Sequence, residues 1–462
     1  MNGSLPGRYG VAALVFACIL LAPLSGFGQG QALHSFRNLW ENFPNLGEKA
    51  RKEALVRIRA SETEYYQNLE LAKLHSQENL EGCDPYRIAP LGANRYAVLL
   101  RGADQVLLID QEGNVLDRAS APDSPTSLVY WGETLLVGSE SSPVLMRFVP
   151  GRDKLGTGER FSVPDVMGLR DLEMTPEGQL FGCDEITNQI FEIQFPLQKT
   201  ADLRQQFKVG PGPVDLAFKN NRLYVNSLVS HQVRLFELDT KGQLIDAGTH
   251  LQHDGPVWSM RPLRLDGRDY LVLGGVENTP LDRTQGFFGN IDSFLFLYEI
   301  NESKARLVSE LNVSALGVIT PKWIGVSHSS PSTILVSGYG SATLLELEVS
   351  RNTLQVKEQR ASFPAVQEFT HHEDGTWIGV SPLLDGVVIF GDSAPRFASL
   401  QDSRDNLFVL GESLFFTELM APRNSSLGKK SRFTCETCHF EGMIDGRTHF
   451  TGRGEVHAVT KP

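Results

Sequence analysis

A repeat of about 44 residues is the feature that most constrains how this chain can fold. From Tyr86 to about Phe390 the sequence consists of short segments in which apolar and polar residues alternate, broken by Gly, Asn, Asp and Pro. Such alternation is typical of β-strands. Aligned on their first apolar residue, the segments are spaced by 40, 44, 44, 44, 64 and 45 residues, at positions Ile88, Leu128, Leu172, Leu216, Met260, Ile324 and Phe369.

This period predicts a mainly β fold, a seven-bladed β-propeller spanning residues 86–400. Units of 40–45 residues with four short strands each are typical of propeller blades, which bury their two faces only by stacking around an axis. The one longer spacing contains residues 274–290, which are rich in Gly and lack sustained alternation. We therefore expect a loop that projects between two strands of the fifth blade.

Two segments precede the repeats. Residues 1–28 resemble an export signal in their pattern, with Arg8 before an apolar run at 11–22 and small residues after it. We expect this segment to direct the protein to the periplasm or the exterior of a bacterium, and we expect no other membrane span, although the segment can also be retained as an anchor. Residues 32–80 contain many strong helix formers, which predicts a helical lead of one or two helices.

The charge and the cysteine content limit the partners. The net charge is −12 and the isoelectric point is near 5.5, which argues against a nucleic acid partner. Outside the signal and the motif described next, the chain has only Cys83 and Cys183. They can form a disulfide in an oxidising compartment, but we expect two small buried core residues instead.

The sequence Cys435-Glu436-Thr437-Cys438-His439 is the C-x-x-C-H signature of covalent c-type haem attachment. Its two thiols can each form a thioether to a haem vinyl group, and His439 can bind the iron as an axial ligand. A bare C-x-x-C can also be a redox dithiol or half of a zinc site. Zinc would need a second ligand pair at short spacing, and a dithiol would need a βαβ context, so the motif favours one haem c.

The residues around this motif resemble the first haem segment of di-haem cytochrome c peroxidases. The similar features are G-x-x-L-F-F at 411–416, Asp445-Gly446-Arg447 and Thr460-Lys461-Pro462. The resemblance implies a small, α-helical cytochrome c-type segment at 405–462, with a helix from Gly411 to Met420. A second C-x-x-C-H, expected in that family, does not occur in the sequence. We therefore expect the segment to be incomplete and the second haem to depend on a longer chain.

Other residues near the motif are candidates for contacts with haem. Met443, His449 and His457 can be considered for the distal side of the iron, and Met443 lies too close to His439 in sequence to reach the opposite haem face easily. His449 and His457 can instead bond propionates or backbone. Arg447 can pair with a haem propionate or form a surface ion pair.

The repeats carry few chemical signals of their own. Leu223-Tyr-Val-Asn-Ser227 resembles the Tyr-Val-Thr-Asn type of bacterial propeller, which supports the fold and export but no chemistry. Asp171, Asp215 and Glu368 recur near the start of first strands, where they can line a ligand funnel or serve as strand-end residues. His371 and His372 are adjacent, so on a strand they point to opposite faces and do not naturally chelate one metal ion.

Two hypotheses on function follow from these observations. In the first, the chain is an exported c-type haem protein whose propeller docks a redox partner protein or a small electron donor, with electron-transfer or peroxidase-like oxidoreductase activity implied by the resemblance. In the second, the propeller is a non-catalytic binding module with a haem-free tail. The sequence does not identify a substrate or an oligomeric state.

Overall fold

The computed structural model describes residues 83–197, 200–278, 291–301, 304–327, 330–372, 375–391 and 395–400, and, in the C-terminal part, residues 412–413, 415–417, 433–440, 448–450 and 457–459. The predicted export signal, the predicted helical lead and Arg447 lie outside these residues. No helix in the described part of the chain is long and apolar enough to cross a membrane.

The described repeats form seven four-stranded antiparallel sheets arranged in a ring, each built from four consecutive strands. Blade 1 contains β1 Pro85–Gly92, β2 Arg95–Leu100, β3 Gln105–Asp110 and β4 Val115–Ser120. Blade 2 contains β5 Pro125–Trp131, β6 Thr134–Ser139, β7 Val144–Phe148 and β8 Glu159–Ser162. Blade 3 contains β9 Asp171–Met174, β10 Leu180–Asp184, β11 Gln189–Ile193 and β12 Leu203–Lys208.

The remaining blades follow the same order. Blade 4 contains β13 Pro213–Lys219, β14 Arg222–Ser227, β15 Gln232–Leu238 and β16 Leu244–Gln252. Blade 5 contains β17 Val257–Leu265, β18 Arg268–Asn278, β19 Ile291–Asn301 and β20 Lys304–Asn312. Blade 6 contains β21 Trp323–Val326, β22 Thr333–Gly338, β23 Thr343–Ser350 and β24 Thr353–Ala361. Blade 7 contains β25 Glu368–His371, β26 Trp377–Ser381, β27 Gly386–Phe390 and β28 Arg396–Ser399.

The predicted seven-bladed propeller is thus confirmed, and the repeat alignment is correct residue by residue. Each of the seven aligned apolar residues lies in the innermost strand of its own blade. Each also packs in a different apolar cluster, and the seven clusters occupy the seven interfaces between neighbouring blades. A single blade cannot bury its two apolar faces, so the core of the ring consists of these interfaces.

The ring closes by side-chain contacts between blades 7 and 1, because each blade takes all four strands from one continuous stretch. Ile88 of blade 1 packs with Val387 and Ile389 of blade 7. The Ile88 N–H also donates to Glu368 Oε2 (2.9 Å), and the Asp84 N–H donates to Asp385 Oδ1 (3.0 Å). Closure therefore depends on polar side chains as well as on apolar packing.

The prediction of a loop at 274–290 was wrong for its first five residues. β18 continues to Asn278, and it pairs with β19 up to the partners Asn278 and Ile291. Residues 279–290 lie outside the described residues. Gly274 lies inside this strand. A Cβ at this position would stand 2.5 Å from Ser259 Oγ, so the glycine permits close packing of two strands and does not mark a turn.

The C-terminal segment differs from the predicted α-helical segment. Its described residues include one helical turn, in which the Thr417 N–H donates to the Ser413 carbonyl (3.1 Å), and a two-stranded sheet of β29 Thr448–Phe450 and β30 His457–Val459. The sheet is consistent with its sequence, because two short runs with β-branched or aromatic residues flank a glycine-rich stretch. The described part of 411–420 is thus helical, whereas the sheet at 448–459 differs from the predicted α-helical segment, and the rest of 405–462 lies mostly outside the described residues.

Candidate functional site: the axial channel and the motif at its mouth

Four polar residues that precede aligned apolar residues interact with one another near the centre of the ring. They are Arg87, Asp171, Asp215 and Glu368, from blades 1, 3, 4 and 7. The recurrent acids noted in the sequence are therefore brought together by the closure of the ring.

Polar side chains near the axis form hydrogen bonds with backbone groups on the unpaired edges of the innermost strands. Each innermost strand pairs on one side only, which leaves backbone groups without ladder partners. Asp171 Oδ2 accepts a hydrogen bond from the Leu216 N–H of the next blade (2.8 Å), and Glu173 Oε1 accepts one from the Phe218 N–H (2.9 Å). Arg261 Nε in turn donates to the Ile324 carbonyl (2.9 Å).

Arg87 is the central cation of the channel. Its Nη2 atom lies 3.2 Å from Asp171 Oδ1 of blade 3, and its Nη1 atom lies 3.6 Å from Glu368 Oε1 of blade 7. Nε donates to the Thr126 carbonyl of blade 2 (3.2 Å). Burial opposes the charge of Arg87, but the carboxylates of Asp171 and Glu368 outweigh it and raise the pKa of Arg87. One guanidinium thus connects four blades across the axis.

Two further acids near the axis have raised pKa values. Burial, reinforced by the Asp171 carboxylate and opposed by Arg87, raises the pKa of Asp215 to about 7. Burial also raises the pKa of Glu173 to about 8, against the lowering effect of the Phe218 N–H, with Asp171 again contributing to the rise. Both side chains are half-buried. The channel therefore holds carboxyl groups that take up protons near neutral pH.

Replacing Glu173 with Gln is expected to reduce the loss of stability at high pH. The folded protein holds the Glu173 proton up to about pH 8, whereas the unfolded chain releases it near the ordinary value of 4.5. The contribution of this group to the free energy of unfolding therefore falls as the pH rises from about 4.5 to 8. Denaturant unfolding should show the variant gaining about 4 kcal/mol on the wild type between pH 5 and pH 9.

The amide oxygen of the introduced glutamine can still accept the Phe218 N–H, so the native backbone contact is kept. Glu358→Gln is the matched control, because Glu358 is half exposed on the outer strand β24. Equal slopes of stability against pH in wild type and Glu173→Gln would contradict the raised pKa.

The channel contains two cavities that share lining residues. The upper cavity, of about 90 Å³, is lined by residues such as Arg87, Trp258 and Lys322. The lower cavity, of about 360 Å³, is lined by residues such as Glu173. Asp215 and Arg261 line both cavities.

The C-x-x-C-H motif lies against the mouth of the upper cavity. Phe440, 1% exposed, packs in an apolar cluster with Val214, Leu228 and Trp258, which also line that cavity. Cys438 packs against the same cluster. The haem motif predicted from the sequence is therefore attached to the ring at one end of its axis.

A buried ion pair joins the motif to the ring. The Lys322 ammonium pairs with the Glu436 carboxylate, and the two side chains are 8% and 1% exposed. Lys322 Nζ also lies 4.1 Å from the centroid of the Tyr339 ring. Lys322 lines the upper cavity, so this pair connects the second residue of the motif directly to the channel.

The backbone of the motif forms a tight turn. The Cys435 carbonyl accepts hydrogen bonds from the N–H groups of Cys438 (3.2 Å) and His439 (3.0 Å). Both cysteines are reduced and half-buried, and His439 is half-buried as well. Burial raises the pKa of the Cys435 thiol. Two reduced thiols one turn apart with an accessible adjacent imidazole fit the donor set of covalent haem.

The other predicted site residues are not gathered at this turn by any described contact. His449 and His457 lie in the two-stranded sheet, where His449 is opposite Ala458 and His457 is opposite Phe450. Arg447 and Met443 lie outside the described residues. Among the residues that the structure describes, no group of three or more His, Cys, Asp or Glu could hold a metal ion directly.

The remaining sequence candidates have structural roles. Cys83 and Cys183 are reduced and buried in different apolar clusters, as predicted. His371 Nε2 lies 2.6 Å from the Val326 carbonyl and its ring lies against that of Trp377 at an interplanar angle of 44°, whereas His372 contacts the ring of Tyr96. The two adjacent histidines thus face different blades.

Sequence reasoning missed four functional groups of the channel, namely Arg87, Glu173, Arg261 and Lys322. Three of them could have been found, because Arg87 precedes its aligned apolar residue and Glu173 and Arg261 follow theirs. Lys322 offers no such signal, since it lies in a connection between blades and acquires its role only through Glu436.

Replacing Lys322 with Met is expected to detach the motif from the ring. The substitution leaves the buried Glu436 carboxylate without its ammonium partner, which costs about 3–5 kcal/mol. Amide hydrogen exchange of residues 433–440 should accelerate by a hundredfold or more, about 10-fold per 1.4 kcal/mol. The ring itself should keep its protection.

Two variants test this interpretation of the ion pair. Lys322→Met combined with Glu436→Met removes both charges and should restore much of the protection. Lys154→Met, at an exposed pair with Asp117, should change nothing in the motif. Unaltered exchange of 433–440 in Lys322→Met would show that the pair does not hold the segment.

The ring and its channel define the chain as a seven-bladed β-propeller, and two solved structures share this fold. Hydrazine synthase from Kuenenia stuttgartiensis is 11% identical with a TM-score of 0.56, covering 67% of this chain and 96% of that one. A functionally unknown protein from Desulfotomaculum acetoxidans DSM 771 is 13% identical with a TM-score of 0.53, covering 66% and 95%. At these identities the similarity shows the fold alone. No protein-family profile and no curated protein sequence matches the chain.

Proposed function

We propose that this chain is an exported c-type haem protein, in which the propeller is a rigid scaffold that carries the haem segment at the mouth of its axial channel. The observation that carries the proposal is the C-x-x-C-H turn, with two reduced thiols and an accessible imidazole, packed against the ring by Phe440 and by the Glu436–Lys322 pair.

The residues of the turn have distinct roles in this proposal. Cys435 and Cys438 form thioethers to the haem vinyl groups, and His439 is the proximal ligand. The haem, when bound, supplies one-electron chemistry. Phe440 and Glu436 hold the turn in place, because both are buried and both contact the ring. From the sequence we also propose His449 or His457 as the distal ligand of the iron and Arg447 as a contact to a haem propionate.

The proposed role is electron transfer or peroxidase-like oxidoreduction with a redox partner protein or a small electron donor. The resemblance of residues 411–462 to di-haem cytochrome c peroxidases supports it, and in a longer chain a second haem would relay electrons. The export pattern of residues 1–28 supports a periplasmic or extracellular location, where haem c is attached in bacteria. These proposals rest on the sequence and extend beyond the fold.

The second candidate is a binding module without haem. The observation in its favour is the channel itself, because its charged lining and its two cavities lie in the ring and contain none of the motif's cysteines. The two candidates differ in one measurable property, the covalent cofactor.

The proposal is tested by expressing the chain with the cytochrome c maturation machinery in an exporting host. Haem staining on a denaturing gel, quantified by the reduced pyridine haemochrome spectrum, is expected to show one covalent haem per chain. A folded chain without covalent haem would support the binding module. Repeating the stain with any longer form of the chain separates a missing pocket from a motif that never binds haem.

A further inference from the structure

The C-x-x-C-H turn lies on one particular face of the ring. In each antiparallel blade the first and third strands begin, and the second and fourth strands end, at the same edge. Phe440 packs at this edge, against Val214 and Trp258 near the starts of two first strands and against Leu228 just after the end of β14. The side of the ring made by the connections at these strand ends is called the motif face below.

Three exposed apolar side chains belong to the motif face. Met167 is 54% exposed, Ile186 58% and Val229 39%. The Asp184 carboxylate brings the first two together, because it accepts the Met167 N–H (2.7 Å) and the Ile186 N–H (2.9 Å). Single exposed apolar residues are common, but a group of them on one face is typical of an interaction surface.

The third side chain joins this pair through the next connection. The Gly212 N–H donates to Oδ1 of Asn188, which lies in the same connection as the second apolar residue (2.9 Å), and a Cβ at Gly212 would stand 2.6 Å from Val229 Cγ2. Leu228, the residue before Val229, packs with Phe440. The three side chains, called the apolar patch below, thus lie next to one another and adjoin the motif.

Exposed carboxylates flank the apolar patch on both sides. Asp165 is exposed in the same connection as the first apolar residue. Asp254 is exposed as well, and the residue before it, His253, donates its N–H to the His231 carbonyl (3.0 Å), two residues after Val229. An apolar centre with a polar rim is the usual arrangement of a protein–protein interface.

The motif face is acidic, and its cations are already paired within the chain. The described connections of this face contain three Lys or Arg residues, in the ion pairs Arg101–Asp84, Arg170–Glu140 and Lys322–Glu436. Four further acids of these connections are exposed, namely Asp104, Asp123, Asp165 and Asp254. The excess of carboxylates gives the face a negative potential.

This charge selects one class of partner. A second copy of the chain would bring a second acidic face against the first, and like charges across an interface oppose association. An anionic lipid surface is disfavoured for the same reason. A protein with a basic surface, in contrast, meets the acidic rim favourably and can cover the apolar patch.

We propose that the motif face, centred on Met167, Ile186 and Val229, is the docking surface for a small redox protein with a basic contact surface. This inference rests on the proposed haem function, because the haem-binding turn on the same face is what a redox partner would need to approach. Complementary charge speeds association, and the apolar patch excludes water from the centre of the contact.

The test is the binding of a basic mitochondrial cytochrome c to the haem-loaded chain, measured by isothermal titration calorimetry. The dissociation constant should weaken about tenfold from low to physiological ionic strength, because salt screens the exposed charges. The control probe is the same cytochrome with its lysines succinylated, which reverses its surface charge and keeps its size and its haem. It should not bind.

Variants separate the apolar and the charged contributions. Ile186→Ser should weaken binding about tenfold at both ionic strengths, since it removes an apolar contact at the centre. Asp165→Asn combined with Asp254→Asn should weaken it about fivefold at low ionic strength and little at physiological ionic strength. Ile245→Ser, on the outer strand β16, and Glu177→Gln, at the opposite edge of blade 3, change equally exposed residues and should bind like the wild type.

Other occupants of the patch give different results. If part of this chain covered it, Ile186→Ser would lower the denaturant midpoint of the chain alone; if a second copy did, sedimentation would show a dimer that Ile186→Ser dissociates. Either result overturns the proposal, as do equal binding of the succinylated cytochrome and unchanged binding by Ile186→Ser. Haem staining of the same sample tests the proposed function independently, so a haem-loaded chain that does not bind the cytochrome overturns the docking surface alone.

Discussion

A variant with Cys435→Ala and Cys438→Ala is expected to carry no covalent haem, whereas the wild type is expected to carry one per chain. Each thiol makes its own thioether, so either single variant should show weak or lost staining and the double variant none. His439→Ala should impair iron coordination and change the reduced absorption spectrum. Haem staining and the intact mass of the purified chain measure these outcomes.

The matched control is Cys183→Ala, because Cys183 is a buried cysteine of the ring, in a different part of the molecule. It should retain full haem loading. The motif variants should unfold like the wild type in the ring, since the seven apolar clusters between blades contain none of the motif residues. Covalent haem in the double variant would refute the assignment of these thiols.

Replacing Arg87 with Leu is expected to destabilise the ring by about 3–5 kcal/mol. The substitution removes the cation between Asp171 and Glu368 and leaves both carboxylates at the axis without it. It also removes the hydrogen bond to the Thr126 carbonyl, so blade 1 loses polar contacts with blades 2, 3 and 7. Denaturant unfolding at pH 7 should show the loss as a lower midpoint.

The pH dependence identifies the cause of this loss. Burial raises the pKa values of Asp171 and Glu368, so both acids take up protons readily as the pH falls. The cost of Arg87→Leu should therefore shrink at pH 5, and adding Asp171→Asn should recover part of it at pH 7. Arg360→Leu, at an exposed ion pair with Glu358, should cost less than about 1 kcal/mol. A small effect of Arg87→Leu at pH 7 would show that the channel acids do not need this cation.

The blades could be predicted because their signal is local. Alternation with a period of two identifies a strand, and the positions of Ile88, Leu172 and Leu216 repeat it at near-constant spacing. Gly274 shows the limit of such reasoning. Its neighbours predict a turn, but the close approach of Ser259 in the adjacent strand requires a glycine inside β18.

The candidate site could be predicted only in part. The C-x-x-C-H turn is visible in the sequence because its chemistry needs residues at fixed local spacing. Asp171, Asp215 and Glu368 were recognised as recurrent acids, but their separation in the chain hides that Arg87 pairs with two of them. The cation Arg87 was missed because only acids were compared across the repeats, although Arg87 stands before Ile88 as Asp171 stands before Leu172.

The sequence by itself determined the number of blades, the innermost strand of each and the two thiols and imidazole of the motif. The tertiary structure alone decided where the motif sits: Lys322 and Glu436 are 114 residues apart, and Phe440 enters a cluster formed by blades 4 and 5. Local periodicity records which face of a strand is apolar, but it carries no information on which distant surface a short segment will cover. That choice depends on burying Phe440 and pairing Glu436 in the same place, and only the closed ring provides both an apolar cluster and a buried ammonium at one end of its axis.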